Sequence, residues 1–329
     1  MKALILTTEN IEIQDIKKPI PKENEVCIKV MYASLNRRDQ WARVGLYPGM
    51  TYGCVLGSDA CGVVEQVGTN ISSDWIDKEV LINPNQNWGD NFRHPQKNYT
   101  ILGMPTNGVF AEYVCVPADR IHLKPTYLKA EEAAAIPLAA LTAFRACFFK
   151  GNIQAGDKVL VTGIGGGVAQ FVAQFAKAAG AEVWVSSGND EKIALMQSKG
   201  LIRGGVNYKV KDWQKQLLEQ SDGFDVVIDS AGGDDFNLLL RTLKPSGTLV
   251  FYGATLGSVK LDMPRVFFGQ YTIKGTTMGN DEEFAEMLHF IEKYQIRPVI
   301  NSVRSFDDII SAFDDMRDGK IFGKVVISL

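Results

Sequence analysis

The sequence predicts an α/β protein in which a doubly wound parallel sheet is inserted into a second, mainly β domain. Three observations predict it. Short apolar runs alternate with helical patterns from Asp157 onward, a glycine cluster stands at one strand-to-helix turn, and the flanking stretches read as short strands broken by turns. A chain of 329 residues exceeds one ordinary core and fits two domains. The expected division is 1–125 with 280–329 as one discontinuous domain, and 126–279 as the inserted one.

The elements follow in order. Val26, Ile28 and Val30 alternate with Cys27 and Lys29, as in a half-buried strand. The stretch Val55 to Gly68 carries repeated glycines where the backbone must turn or be closely approached. Residues Asn83 to Asn98 are polar and rich in Asn, which predicts a surface lobe or long loop. Lys158 to Thr162 is a short apolar run, consistent with a buried parallel strand. Val168, Phe171, Val172 and Phe175 then mark one face of a helix, with Gly180 placed to end it. Strands are expected over Glu182–Ser186, Phe224–Asp229 and Thr248–Tyr252, with a helix over Asp190–Lys199. Two more helices, near 281–293 and 306–318, and a strand over Lys324–Ser328 complete the chain.

Composition removes several classes of function. The net charge of -3 gives no reason to expect nucleic acid or another polyanion as partner. No apolar run is long enough for a membrane helix, and the acidic residues Glu9, Glu12 and Asp15 make the N-terminus a strand and not a signal peptide. The five cysteines are odd in number and contain no Cys-x-x-Cys pair, so the expectation is reduced thiols in the cytoplasm.

The glycine turn carries the first chemistry. Gly163-Ile164-Gly165-Gly166-Gly167-Val168-Ala169 lies between the predicted strand and helix, the context such a motif requires. Glycines let backbone approach a pyrophosphate, and the helix start offers N–H groups and the positive end of its dipole. Gly163, Gly166, Gly167 and Val168 are therefore candidate dinucleotide contacts. An NAD site expects a carboxylate about 20 positions on, to hold the ribose hydroxyls. Here the second strand ends Ser186-Ser187-Gly188-Asn189, with Lys192 beyond it. Ser187 and Lys192 thus favour NADPH over NADH, while Lys192 also reads as a solvated surface lysine.

In this order, several segments resemble the medium-chain dehydrogenase/reductase superfamily, specifically its zinc-free quinone oxidoreductase-like branch. They are ASLNRRDQWARVGLYP from Ala33, GSDACGVVEQVG from Gly57, FAEYVCVP from Phe110, AAAIPLAALTA from Ala133, the glycine turn, and Gly323-Lys324-Val325-Val326. The resemblance covers nearly the whole chain and implies a Rossmann domain inserted in a GroES-like substrate domain. Zinc-dependent members carry Cys in the first motif, Gly-His-Glu in the second and a further Cys in the fourth. This sequence has no Cys in Asn36-Arg37-Arg38-Asp39, Ser58 in place of the His, and Leu138 at the last position. The Asn83–Asn98 stretch lacks the four cysteines of the structural zinc lobe. No zinc is expected.

The resemblance further implies that Asn36 and Asp39 line or brace the substrate cleft and that Tyr47 lies near its mouth. Two readings stand for Tyr47, a hydrogen-bond or proton donor and a packed turn residue. For the cofactor, the resemblance implies Thr142 near the nicotinamide, Tyr208 beside the adenosine 2′-phosphate, and Lys324 near a phosphate or else on the surface. Gly253, Ala254 and Met278 end strands at the carboxyl edge of the sheet, where ligands bind, and their backbone is expected to hold the carboxamide. A homodimer through Tyr271–Thr276 is also implied. The function expected is hydride transfer from NADPH to a small-molecule acceptor, a quinone or α,β-unsaturated carbonyl. An alcohol or aldehyde dehydrogenase and a non-catalytic NADPH-binding sensor are the alternatives. Trp88 and Phe92 either stack on a flat acceptor or pack the Asn-rich lobe.

Overall fold

The computed structural model describes residues 1–329 and divides into two compact units. One is Met1–Ala139 with Asn280–Leu329, and the other is Ala140–Gly279. No helix is long and apolar enough to cross a membrane.

The unit Ala140–Gly279 is built on a six-stranded sheet. Its strands lie in the order Gly204–Asn207, Glu182–Ser187, Lys158–Val161, Phe224–Asp229, Leu243–Phe251 and Thr272–Gly275, all parallel. Parallel strands are covered on both faces, which is why Val159, Leu160 and Val161 form an unbroken apolar run with no exposure. The helix Gly167–Ala178 turns Phe171, Val172 and Phe175 inward as its spacing predicts, and Gly180 beyond it takes φ +89°. Strand order reverses between Lys158–Val161 and Phe224–Asp229. Ligands of such sheets bind beyond the carboxyl ends of the strands at this reversal. The strand Gly204–Asn207 escaped the sequence reading because half of it is glycine, which gives no periodic signal.

The other unit is mainly β. Its large sheet runs Ile300–Ser305, Lys324–Ser328, Glu25–Ser34, Asp59–Val67, Glu79–Ile82 and Ile121–Leu123, and Tyr113–Pro117 also pairs with Glu25–Ser34. Phe110 and Phe313 meet edge to face at 6.1 Å in its core. The Phe110 ring sits against Gly57, where an added Cβ would lie 2.7 Å from it. With φ at +97° as well, only glycine suits this position, and the turn it makes delivers Ser58 and Asp59 to the interior.

Two expectations are corrected here. The first boundary lies after Ala139 and not at 125. Ala130–Ala134 packs on the strands Glu25–Ser34 and Asp59–Val67, and Ser34 Oγ donates to the Ala134 carbonyl at 2.9 Å, so this segment belongs to the β unit. The Asn-rich stretch is a surface loop from Gly89 to Asn98, as expected, but its first residues are not superficial. Asn83 and Asn85 are buried, and their side-chain amides both donate to Asp281 Oδ1 at 3.0 Å beside Arg120. Trp88 is buried edge-on to Tyr99, which favours its packing role, whereas Phe92 is exposed.

Candidate active site

In the β unit, the first motif forms the start of the helix Arg37–Arg43. Asp39 reaches back to accept the Asn36 backbone N–H at 2.8 Å, a reciprocal cap that fixes where Asn36 points. The Asn36 amide donates to Asp59 Oδ2 at 2.8 Å, and its carbonyl oxygen accepts from Lys324 Nζ at 2.6 Å. Lys324 Nζ also donates to Asp59 Oδ2 at 3.1 Å and to the Leu35 carbonyl at 2.9 Å. The second Asp59 oxygen accepts the Leu138 N–H at 2.8 Å. Asp59 and Lys324 are thus a fully buried ion pair with every ammonium proton directed to an acceptor. Lys324, placed by resemblance beside a cofactor phosphate, has its donors committed inside this unit.

A second cation sits two residues along from Asn36. Arg38 Nη1 donates to Ser58 Oγ at 2.5 Å and to the Leu102 carbonyl at 2.9 Å. Its Nε donates to Tyr47 Oη at 3.2 Å, and the guanidinium carbon lies 4.6 Å from the centre of the Tyr47 ring. Tyr47 is half-buried and oriented by this contact. Burial is the main influence on the Asp39 carboxyl, which is pushed up to about 6 against the opposing pull of Arg38, 3.9 Å away. The sequence reading named Asn36, Asp39 and Tyr47 and missed Arg38. The signal was present, since a long cation stands between two named residues in the quoted motif.

The donor chemistry here does not fit zinc. At the three ligand positions stand Asn36, Ser58 and Leu138, which supply an amide, a hydroxyl and an aliphatic chain. The first two already face Lys324 and Arg38. A divalent cation would meet two resident cations and none of the imidazole or thiolate ligands that bind it. No group of three His, Cys, Asp or Glu side chains is gathered anywhere in the protein to hold a metal ion.

In the parallel-sheet unit, the glycine turn joins Lys158–Val161 to Gly167–Ala178 as predicted. Gly163 has φ +64°, and Gly166 caps the helix without a side chain. Gly167 and Val168 form its first turn, where N–H groups lack intrahelical partners. Across the strand reversal, buried Asp229 accepts from Thr162 Oγ1 at 2.6 Å and from the Gly232 N–H at 2.8 Å, tying the two strand ends together. Asp229 was not singled out from sequence. Gly253 packs so closely on the Ser230 carbonyl that a Cβ would sit 2.6 Å from it, and Ala254 follows in the same loop. Thr142 Oγ1 lies 3.8 Å from Met278 Sδ, and both residues are buried.

At the end of Glu182–Ser187, Ser187 Oγ accepts the Asn189 N–H at 3.1 Å. Tyr208 is drawn in by its N–H bond to the Ser187 carbonyl, and its hydroxyl lies 2.6 Å from where a Gly188 Cβ would be. The Lys209 side chain lies over the same glycine, a neighbour the sequence reading did not name. Lys192 is half-buried, and burial holds its ammonium below the ordinary lysine range. Asp190, the nearest carboxylate in sequence, is held by the Asn207 amide at 3.0 Å.

Comparison with known proteins agrees with this architecture. The family described as alcohol dehydrogenase GroES-like domain matches residues 22–126, and that described as zinc-binding dehydrogenase matches 167–293. A zinc-type alcohol dehydrogenase-like protein, YogA, of Leptosphaeria maculans is 38% identical over 97% of this chain and 94% of its own length. The chain belongs to the medium-chain dehydrogenase/reductase superfamily. It is an oxidoreductase of that superfamily, of a kind that depends on a pyridine nucleotide. The tomato (Solanum lycopersicum) 2-methylene-furan-3-one reductase is 30% identical over 97% of this chain and 74% of its own length. A crystal structure of an NAD-dependent alcohol dehydrogenase superposes with a TM-score of 0.94 at 32% identity, covering all of both chains.

Two outcomes follow from the buried pair and from Asp39. Lys324→Met strands an ionised Asp59 and is expected to lower unfolding stability by about 3–5 kcal/mol, most of it recovered in Asp59→Asn/Lys324→Met. Urea titration of the single and double variants measures this. For Asp39, the folded carboxyl titrates near 6, against about 3.9 in an unfolded chain. Between those values the native state holds the extra proton. Stability contributed by the neutral carboxyl is therefore present at low pH and lost as pH rises through 6. Asp39→Asn should flatten that part of the stability profile, and an unchanged slope would remove the assignment.

Proposed function

We propose that this protein is a zinc-independent, NADPH-dependent reductase of α,β-unsaturated carbonyls or quinones. The observation that carries the reading is the occupation of the family's zinc-ligand positions by Asn36 and Ser58, each already bound to a resident cation. Without a Lewis acid to polarise an alcohol or carbonyl, the substrate must be electrophilic on its own. An enone or quinone meets that condition. The similarity to a reductase of a methylene-furanone points the same way.

The nucleotide, when bound, supplies a hydride. Gly163, Gly166, Gly167 and Val168 would hold its pyrophosphate, and Thr142, Met278, Gly253 and Ala254 the nicotinamide end. Ser187, Lys192, Tyr208 and Lys209 would take the 2′-phosphate. Two ammonium groups and two hydroxyls suit that dianion, and the negative charge of Asp190 is partly engaged by Asn207.

Tyr47 would serve the acceptor. Its oxygen accepts from Arg38 Nε, so its own proton is left to point away from the guanidinium. A substrate carbonyl receiving that proton in a hydrogen bond gains stabilisation as negative charge grows on its oxygen. Asn36 and Asp39 set the frame on which Arg38 and Tyr47 stand, which makes them positioning residues.

The test is decay of nicotinamide absorbance with enones and quinones in the presence of a chelator. Turnover with NADPH that tolerates the chelator is expected. Lys209→Ala or Lys192→Ala should raise KM for NADPH about tenfold, because each removes one charge-assisted hydrogen bond to the 2′-phosphate. Neither should change KM for NADH. Activity abolished by the chelator would favour a metal-dependent alcohol dehydrogenase, and binding without turnover would favour a sensor.

We also propose that the chain is a homodimer through the strand Thr272–Gly275. It is the last strand of its sheet, with an open edge. Phe267 and Phe268 on the adjoining helix Met263–Gly269 are 60% and 81% exposed, a large apolar surface to leave in water. Light scattering should give a dimer mass for the native protein and a monomer mass for Phe268→Asp; a monomeric native protein would end this proposal.

A further inference from the structure

Cys27 and Cys115 are partners across two antiparallel strands, in direct register between Glu25–Ser34 and Tyr113–Pro117. The hydrogen-bond pattern fixes the kind of pair. The Val30 N–H donates to the Glu112 carbonyl at 3.0 Å, and the Ala118 N–H to the Asn24 carbonyl at 3.0 Å. Each of these hydrogen-bonded positions lies three residues along the ladder from Cys27. Hydrogen-bonded and non-hydrogen-bonded pairs alternate in an antiparallel ladder, so Cys27 and Cys115 form a non-hydrogen-bonded pair. Such pairs bring Cα atoms to about 4.5 Å and side chains closest together. A disulfide accepts Cα separations of roughly 4.4–6.8 Å, so this pair can be bridged with little backbone movement.

The surroundings suit thiol chemistry. The two thiols influence each other's ionisation. Cys27 Sγ is buried, 3.9 Å from the Pro19 carbonyl oxygen, while Cys115 is half-buried. Lys18 is anchored over the Tyr113 ring, with its ammonium 3.7 Å from the ring centre, and it pairs with Glu65. The neighbouring Cys115 side chain, helped by the Lys18 charge, holds the Cys27 thiol below the ordinary range. The same contact, together with burial, pushes the Cys115 thiol up. Burial chiefly pushes Cys54, Cys61 and Cys147 up as well.

We propose that Cys27 and Cys115 form a dithiol site that a small-molecule disulfide converts to a reversible cross-strand disulfide. Half-buried Cys115 is the entry point. Loss of the Cys27 proton leaves one proton between the two sulfurs; when it passes to Cys27, the half-buried Cys115 sulfur is the thiolate, and it attacks one sulfur of the oxidised small molecule, whose S–S bond breaks to release one thiolate. The Cys27 thiolate then attacks the Cys115 sulfur and expels the second. The protein loses two electrons and two protons, and the disulfide reagent becomes two thiols. Because Cys115 is only half-buried, the bridge is open to attack by the released thiols, which suits it to reversible use.

The test uses the full-length protein, reduced, desalted and incubated under native conditions with oxidised glutathione. Titratable thiols should fall by two, and intact mass should show two hydrogens lost with no glutathione retained. Peptide mapping should link Cys27 to Cys115, and dithiothreitol should restore the starting state. Cys27→Ser should trap a lasting glutathione adduct on Cys115, because the resolving thiol is gone. A full set of free thiols, a stable adduct on the native protein, or a bridge between other cysteines would each overturn the proposal. The native-protein map decides the matter even if the variant folds poorly.

Discussion

The β unit depends on one buried ion pair, Lys324 with Asp59. Taking an ammonium and a carboxylate out of water costs several kcal/mol per ion unless geometry and further hydrogen bonds offset it. The offset is complete here. Lys324 has three acceptors, and Asp59 accepts from Asn36, Lys324 and the Leu138 N–H. Those partners come from the turn after Gly57, the start of the last strand, the cap of Arg37–Arg43 and the segment after Ala130–Ala134. Four distant pieces of chain must be in place before either charge is tolerable, so the pair enforces their register. The domain boundary falls after Ala139 for this reason, since Leu138 is held by Asp59.

Arg38 and Tyr47 inherit their placement from this constraint. Asn36 is fixed on one side by Lys324 and Asp59 and on the other by Asp39. Arg38 therefore leaves the helix in a set direction, toward Ser58 and the Leu102 carbonyl. A superfamily fold whose relatives include zinc-type proteins here gathers two organic cations where a metal's ligands would stand. Cations held by fixed hydrogen bonds do not exchange and supply no open coordination position. In the proposed reaction, what they would offer a substrate is charge and direction, delivered through the hydroxyl that Arg38 holds.

How much of this was legible in the sequence depended on range. The parallel sheet announced itself because apolar runs, glycine turn and helix face are local and ordered along the chain. Asn36, Asp39 and Tyr47 stood within one short motif and were found. Lys324 was named and read as a phosphate contact or surface lysine, because its partner Asp59 is 265 residues away and no local pattern reveals it. The start of the Asn-rich stretch misled for a related reason. Asn83 and Asn85 are polar because they bond Asp281, 198 and 196 residues on, and not because they face water. The strand Ile300–Ser305 went unread because its side chains alternate between exposed and half-buried, with none fully inside.

The titration of Asp39 ties the frame to the chemistry. Its carboxyl, lifted to about 6 by burial, sits 3.9 Å from Arg38. Above that value the carboxylate tempers the guanidinium. Below it the guanidinium stands alone, and the field at Tyr47 becomes more positive. A developing enolate or hydroquinone oxygen near Tyr47 would be better stabilised in that second state, because the opposing charge is gone while the donor geometry is kept. On the proposed function, stability and transition-state charge would respond to the same proton in the same direction, both favoured when Asp39 is neutral. The cap to the Asn36 N–H uses the other carboxyl oxygen, so the frame itself is not required to move as that proton comes and goes.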